Sequence, residues 1–371
     1  MRFTEQPLPE WRRAVLKVGS SLLTTATGAL TGEHAKALAA FVDRSRESGR
    51  EVIIVSSGAV AAGRGLAAPQ SGAGLAGRQA LAALGQTRLM ALWQGFFSVP
   101  VAQVLLTHDD LRHRRRYLNA RSTLRELLAL GAIPVINEND TVAVDELKLG
   151  DNDNLAAIVA ALVDADVLFI ASDVGGLYTA NPRVDPHARP VDDVPAVTPE
   201  HLASAGNAGT AAGTGGMRTK LEAAGKAAAA GIETVVFDGR DAACLTRLAA
   251  GVLTGTRLRA PRNRLAARKY WLRHAPVAGR ILVDGGAAEA LRLRGASLLP
   301  GGVTGAEGDF ARGDVIEIGD GHRVFARGIA QYAAGDIRRI ARRHTRDIDS
   351  VLGYSYGENV VHRDDLVVLP D

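Results

Sequence analysis

Cysteine is nearly missing from this chain of 371 residues, where Cys244 stands alone. A single thiol closes no internal disulfide and excludes a cysteine-rich metal site, and it agrees with a reducing compartment. No apolar run approaches the roughly 18 residues that a membrane span requires. The first residues, MRFTEQPLPEWRR, hold no apolar signal core, so the expected location is cytoplasmic, with no membrane partner. Acidic residues vanish between Arg257 and Arg280, in RLRAPRNRLAARKYWLRHAPVAGR. The basic excess is modest, however: residues 257–371 hold 19 Lys+Arg against 14 Asp+Glu. A solvated basic linker over 257–278 is therefore preferred to a nucleic-acid surface.

What is present indicates a globular protein with a substantial core: 47% of residues are hydrophobic and 23% charged. The length exceeds that of one ordinary domain. Residues 1–256 alternate short apolar runs with helical patterns. AVLKVGSSLL (14–23), EVIIVSSGA (51–59), VAQVLLT (101–107), AIPVINEN (132–139), DVLFIAS (166–172) and TVVFDG (234–239) read as strands. Helical patterns cover 33–49, with Gly49 as a stop, then 77–97, 117–131, the run LAAIVAALV and 219–231. This alternation predicts an α/β domain over 1–256, with an open, mainly parallel sheet sandwiched by helices. In such sheets ligands gather outside the carboxyl ends of the strands.

Unusual residues cluster there. Lys17 sits inside the first apolar strand, where an ammonium without a counter-charge has no place; a lysine facing an anion is preferred to an edge lysine facing water. Gly19 follows, where backbone N–H groups can approach phosphate oxygens. The second strand leads into Ser56-Ser57-Gly58 before AVAAG, either a plain helix cap or an anion-binding helix start. Asn137, Glu138, Asn139 and Asp140 follow the strand at 132, and GDNDN (150–154) precedes LAAIVAALV. One carboxylate, Asp151 or Asp153, suffices as a cap. Amides and carboxylates together suit a ligand bearing both ammonium and carboxylate groups, and an Asp can orient nearby lysines. Gly213, Gly215 and Gly216 then feed a helix opened by Thr219 and Lys220, a phosphate-binding arrangement without P-loop spacing. GAGLAG (72–77) matches a dinucleotide fingerprint. It follows a loop and has no acid about 20 positions later, so it reads as a turn before a helix and weakens a dehydrogenase reading.

In order, KVGSSLL, VSSGAVAAG, PVINENDTVA, KLGDNDNLAA, SDVGGLYTANPR and GTGGMRTK resemble the successive motifs of the glutamate 5-kinase family, within the amino acid kinase superfamily. GDNDNL and GTGGMRTK are the most specific. Residues 279–371 resemble a PUA domain, a small β-rich module, followed by a tail that looks like the family's own. From its residues alone, that segment reads only as a small mixed β domain with one early helix.

The resemblance implies transfer of a phosphoryl group from ATP to the side-chain carboxylate of L-glutamate, the first step of proline synthesis. Lys17 and Lys220 would stabilise the transferring group and Asp153 would orient them. Ser57, Gly58, Asp140 and Asn152 would bind glutamate, with Asn137 nearby. ATP would be contacted by Lys17, Gly19, Ser172, Asp173 and the stretch Thr214, Gly215, Gly216, Met217, Arg218, Thr219 and Lys220. Mg²⁺ is expected on the nucleotide phosphates, with no metal site of the protein's own. Ser172, Val174-Gly175 and Asn181 depart from the family pattern at the ATP site. The resemblance also implies a dimer or tetramer, with proline as a feedback inhibitor. RNA binding by the PUA-like domain would be the alternative role, and N-acetylglutamate or aspartate the rival substrates. The basic run RHRRR (112–116) reads as a solvated helix start or an oligomer contact.

Overall fold

A computed structural model describes residues 2–25, 27–67, 74–143, 152–182, 184–205, 216–260, 272 and 277–369. The chain divides into two compact units, Met1–Arg262 and Asn263–Asp371, and each is described by itself.

The first unit runs β1 (Glu5–Pro7), β2 (Arg13–Val18), α1 (Ala35–Glu47), β3 (Glu51–Ser56), α2 (Ala59–Arg64), α3 (Gly74–Gln94), β4 (Val101–Leu106), α4 (His108–Arg112), α5 (Arg114–Ala129), β5 (Ile133–Glu138), α6 (Asn152–Leu162), β6 (Val167–Ser172), β7 (Asp193–Val194), α7 (Pro199–Ser204), α8 (Met217–Ala229), β8 (Glu233–Asp238), α9 (Ala242–Ala249), β9 (Val252–Thr254) and β10 (Thr256–Leu258). Eight strands form one sheet in the order β4-β5-β3-β2-β6-β8-β10-β7. Neighbours from β4 to β8 are all parallel; β10 is antiparallel to β8 and parallel to β7. A tight hairpin cannot join parallel strands, so helices make the crossovers and cover both faces.

Strand alternation separates two cores. Ala14, Leu16 and Val18 of β2 face Leu38, Phe41 and Val42 of α1 and Leu245 and Leu248 of α9. Phe41 and Phe169 meet edge to face at 5.5 Å, and burying each such ring is worth about 1.5–3 kcal/mol. Val15 faces the other way, onto Leu155 and Val159 of α6 and Leu221 and Ala224 of α8. Lys17 has the parity of Val15, so β2 sends its ammonium toward α6 and α8. Helix α6 is buried on nearly every side, as a helix laid across the middle of a sheet must be.

Helices α2 and α3 touch backbone to backbone. A Cβ at Gly85 would lie 1.9 Å from the Ala59 carbonyl oxygen, and one at Gly63 would lie 1.9 Å from that of Leu81. Only glycine permits this approach.

Several boundaries differ from the sequence expectation. The first apolar run is a strand only to Val18, followed by a single 3₁₀ turn at Ser20–Leu22. That turn buries both Leu22 and Leu23 in one core, whereas a continuing strand would send them to opposite faces. Gly49, at φ +75°, does end α1. The turn expected at GAGLAG is instead helix from Gly74 onward, and residues 72 and 73 lie outside the described residues. Strand β10 includes Arg257, whose guanidinium pairs with Glu233 at 2.7 Å; of the expected linker, 261–271 and 273–276 lie outside the described residues.

The second unit contains β11 (Gly279–Val283), α10 (Gly285–Leu293), β12 (Val303–Gly308), β13 (Val315–Gly319), β14 (Val324–Ile329), α11 (Ala334–Ile340), α12 (Ile348–Leu352) and β15 (Leu366–Val368). The sheet order is β12-β11-β13-β14-β15, with β11 and β13 parallel and the other pairs antiparallel. Among the described residues from 279 onward, three helices appear where one early helix was expected. The terminal segment supplies the edge strand β15 and the buried Val360, Val361 and Leu366, so it completes this core.

Candidate active site

The register of the parallel strands brings their carboxyl ends to one edge. Val18 pairs with Ser56 and Ala171, Ile136 with Val55, and Ser172 with Asp238. The strand-end residues Lys17, Ser56, Asn137, Glu138 and Ser172 therefore converge from β2, β3, β5 and β6, and all five are buried.

Asp153 is the hub. It lies in the first turn of α6 and is 1% exposed. Its Oδ1 is 2.8 Å from Lys17 Nζ, and its Oδ2 is 3.1 Å from Lys220 Nζ. The Thr219 hydroxyl donates to Oδ2 at 2.7 Å and also lies 2.8 Å from the Gly216 carbonyl oxygen. Burial alone would raise the Asp153 carboxyl. The charges of Lys17 and Lys220, with hydrogen bonds from Lys17 and Thr219, overcome that and hold it well below the usual carboxylate range. The cluster thus keeps one negative charge between two positive ones and carries a net positive charge. Buried in this way, it is suited to a polyanion.

Beside it runs an amide chain. Asn152 Nδ2 donates to Ser57 Oγ at 2.8 Å and to Asn137 Oδ1 at 3.0 Å. Asn137 Oδ1 also accepts from the Glu138 backbone N–H at 2.9 Å, and Asn137 Nδ2 donates to Gln86 Oε1 at 3.0 Å. Gly58, at φ +110°, turns the chain from β3 into α2, a conformation that favours glycine. Trp93 Nε1 donates to Ser56 Oγ at 2.9 Å, anchoring the end of β3. Asp140 lies in the turn after β5, where burial raises its carboxyl to about 6.

The remaining expected residues take these places. Gly19 follows β2 in extended backbone; a Cβ there would lie 3.5 Å from Lys17 Nζ, so this position stands against the ammonium. Ser172 ends β6, and its carbonyl accepts from Gly239 N–H. The Asp173 carbonyl accepts from the Arg240 guanidinium. Gly216 caps α8, and Met217 to Lys220 form its first turn. Arg218 pairs with Glu222 on the exposed face of the helix. Thr214 and Gly215 lie outside the described residues, as does Asp151, one of the two residues considered as the α6 cap. Asp153, the other, points its carboxylate at the lysines instead. In the basic run, Arg116 pairs with Asp110 at 3.0 Å.

Gln86 escaped the sequence reading. The buried positions of α3 are Leu81, Ala82, Gly85, Gln86, Leu89 and Trp93, so a carboxamide on an otherwise apolar stripe was the available signal. Gly63 and Gly85 were also missed, because a close helix contact leaves no mark on local pattern.

The model of the amino acid kinase family matches residues 12–238, and the PUA domain model matches residues 279–352. Glutamate 5-kinase of Xanthomonas oryzae pv. oryzae is 69% identical over 96% of this chain and 100% of its own. That of Xanthomonas axonopodis pv. citri is 68% identical, with the same coverage. Glutamate 5-kinase of Xylella fastidiosa is 64% identical over 99% of this chain and 98% of its own. Identity at this level over both units, together with the family model across the sheet that carries the Lys17–Asp153–Lys220 cluster, shows that the chain belongs to the amino acid kinase family and, within it, to the glutamate 5-kinases.

Proposed function

We propose that this chain phosphorylates the side-chain carboxylate of L-glutamate with ATP, giving L-glutamyl 5-phosphate and ADP, the first step of proline synthesis. The observation that carries the residue assignment is the ion cluster of two buried lysines on one buried aspartate. A side-chain carboxylate with an ordinary pKa near ~4.3 is already an ionised nucleophile at neutral pH, so the step needs no general base. It needs in-line placement and cancellation of charge on the transferring group. Lys17 and Lys220 supply the positive charge, one at each carboxylate oxygen of Asp153. Asp153 fixes both ammonium groups while leaving a net positive charge for the phosphoryl oxygens.

Ser57, Gly58, Asn137, Asp140 and Asn152 form the glutamate side of the site. Gly19, Ser172, Asp173 and the first turn of α8 form the nucleotide side, with Thr214 and Gly215 assigned there by family resemblance. Among the described residues, no group of three or more His, Cys, Asp or Glu side chains could hold a metal ion. Mg²⁺ would enter with the nucleotide phosphates, as the family resemblance implies, and neutralise part of their charge. The proposal extends to proline as feedback inhibitor, a dimer or tetramer, and a cytoplasmic location. Among the described residues, no helix is long and apolar enough to cross a membrane. It further assigns catalysis to 1–256 and a separate role to 279–371.

The test is ATP consumption by the full chain with L-glutamate, N-acetylglutamate and aspartate supplied separately. Turnover with L-glutamate alone is expected, and preference for either of the others would overturn the substrate assignment.

A further inference from the structure

One backbone N–H sets the polarity of the amide chain beside Asp153. The Glu138 N–H donates to Asn137, so the atom it meets must be the Asn137 oxygen. Asn152 approaches that same oxygen and must therefore present its nitrogen. Asn137 is left with its own nitrogen for the other neighbour, so Gln86 must present its oxygen. Two side-chain atoms then remain over: Asn152 Oδ1, an acceptor, and Gln86 Nε2, a donor. Among the described residues, neither has a hydrogen-bond partner, and their residues are 2% and 8% exposed. Leaving a buried polar atom unpaired is costly, so each such atom in a native protein calls for a partner, a ligand or an ordered water.

We infer that Gln86 is a substrate-binding residue whose Nε2 donates to the α-carboxylate of glutamate, while Asn152 Oδ1 accepts from the α-ammonium. This deepens the proposed function and rests on it. The side-chain carboxylate must lie at the lysine cluster to be phosphorylated. Asn152 adjoins Asp153 in sequence, and the amide chain leads from there through Asn137 to Gln86. The far end of the chain thus serves the amino-acid end of the substrate. One spare acceptor and one spare donor match one ammonium and one carboxylate. The backbone contact of Gly85 with α2 fixes α3 at the adjoining residue, so Gln86 is held in place before substrate arrives.

The experiment compares wild type, Gln86→Ala and Gln86→Glu as full-length proteins with ATP. The acceptors are L-glutamate and 4-aminobutyrate, which lacks only the α-carboxylate. The Glu variant keeps an oxygen for Asn137 and replaces the donor with a second, negatively charged oxygen that repels a carboxylate, so it decides the matter if the Ala variant fails to fold. A hydrogen bond to a charged group predicts a rise of about 10- to 100-fold in the KM for L-glutamate. The KM for ATP should stay within about twofold, and the preference for L-glutamate over 4-aminobutyrate should shrink by the same factor. An unchanged preference in the folded variants would overturn the assignment, as would tighter glutamate binding by Gln86→Glu, which would place the ammonium there instead. Failure of wild type to use L-glutamate would overturn the proposed function, a result distinct from either of these.

Discussion

Replacing Asp153 by Asn removes one negative charge from between two buried ammonium groups and leaves the shape of the side chain intact. At 2.8 and 3.1 Å and an effective dielectric of about 20, each ion pair has a gross attraction of about 5–6 kcal/mol. Most of that only offsets the desolvation of three charges. Breaking a buried pair by deleting one partner typically costs about 3–5 kcal/mol, because the remaining charge is stranded. For a unit of some 250 residues this converts to a fall in Tm of about 6–20 °C. In the proposed site the triphosphate of ATP brings anionic oxygens to the same two lysines. Adding ATP should therefore raise the Tm of the variant by more than it raises that of the wild type. With both ammonium groups unmoored, kcat should fall about 10²-fold. Thermal unfolding with and without ATP, together with steady-state kinetics, reads all three quantities. A variant that melts within about 2 °C of wild type would refute the charge argument. One that is destabilised but turns over normally would show that the cluster holds the fold and not the phosphoryl group.

Lys220→Met should lower kcat by about 10²–10³-fold, as for loss of one donor to a developing oxyanion, with circular dichroism unchanged; turnover near the wild-type rate would remove its catalytic role. Asp140 gives a pH dependence with a definite sign. Burial raises its carboxyl from 3.8 to about 6, so the fold favours the neutral form, and that contribution to stability is lost as pH rises through about 6. A substrate ammonium instead needs the carboxylate, so the KM for glutamate should fall as pH rises through about 6, and Asp140→Asn should flatten the profile. Gly85→Ala would place a methyl 1.9 Å from the Ala59 carbonyl oxygen. It should cost about 1–3 kcal/mol in denaturant unfolding and raise the KM for glutamate above that for ATP; a neutral result would mean the helix contact is plastic. The fragment 1–278 should fold by circular dichroism and retain glutamate-dependent activity, whereas a folded but inactive fragment would mean residues 279–371 complete the site.

The sequence by itself determined the class of the fold. Continuous apolar runs such as EVIIVS, spaced by helical patterns, admit little besides a parallel sheet covered on both faces. It also marked Lys17, which interrupts an apolar run, Asn137, Asn152 and Asp153, which crowd polar groups beyond what a loop or cap requires, and Lys220, which opens a helix after a Gly-rich loop. Their grouping was a matter for the tertiary structure. Lys17, Asp153 and Lys220 are separated by 136 and 67 residues, and only strand parity in β2 and the crossing of α6 over the sheet put them within 3.1 Å. The division of labour inside GDNDN was decided the same way. Asp153 resembles a helix cap in sequence, yet two ammonium groups from distant strands and helices claim its carboxylate. Gln86 and the glycines at 63 and 85 gave almost no local sign, since a helix pattern records which face is buried and not what it is buried against. Polarity along the amide chain was the last thing fixed, by one backbone N–H at Glu138, and no residue type could have announced it.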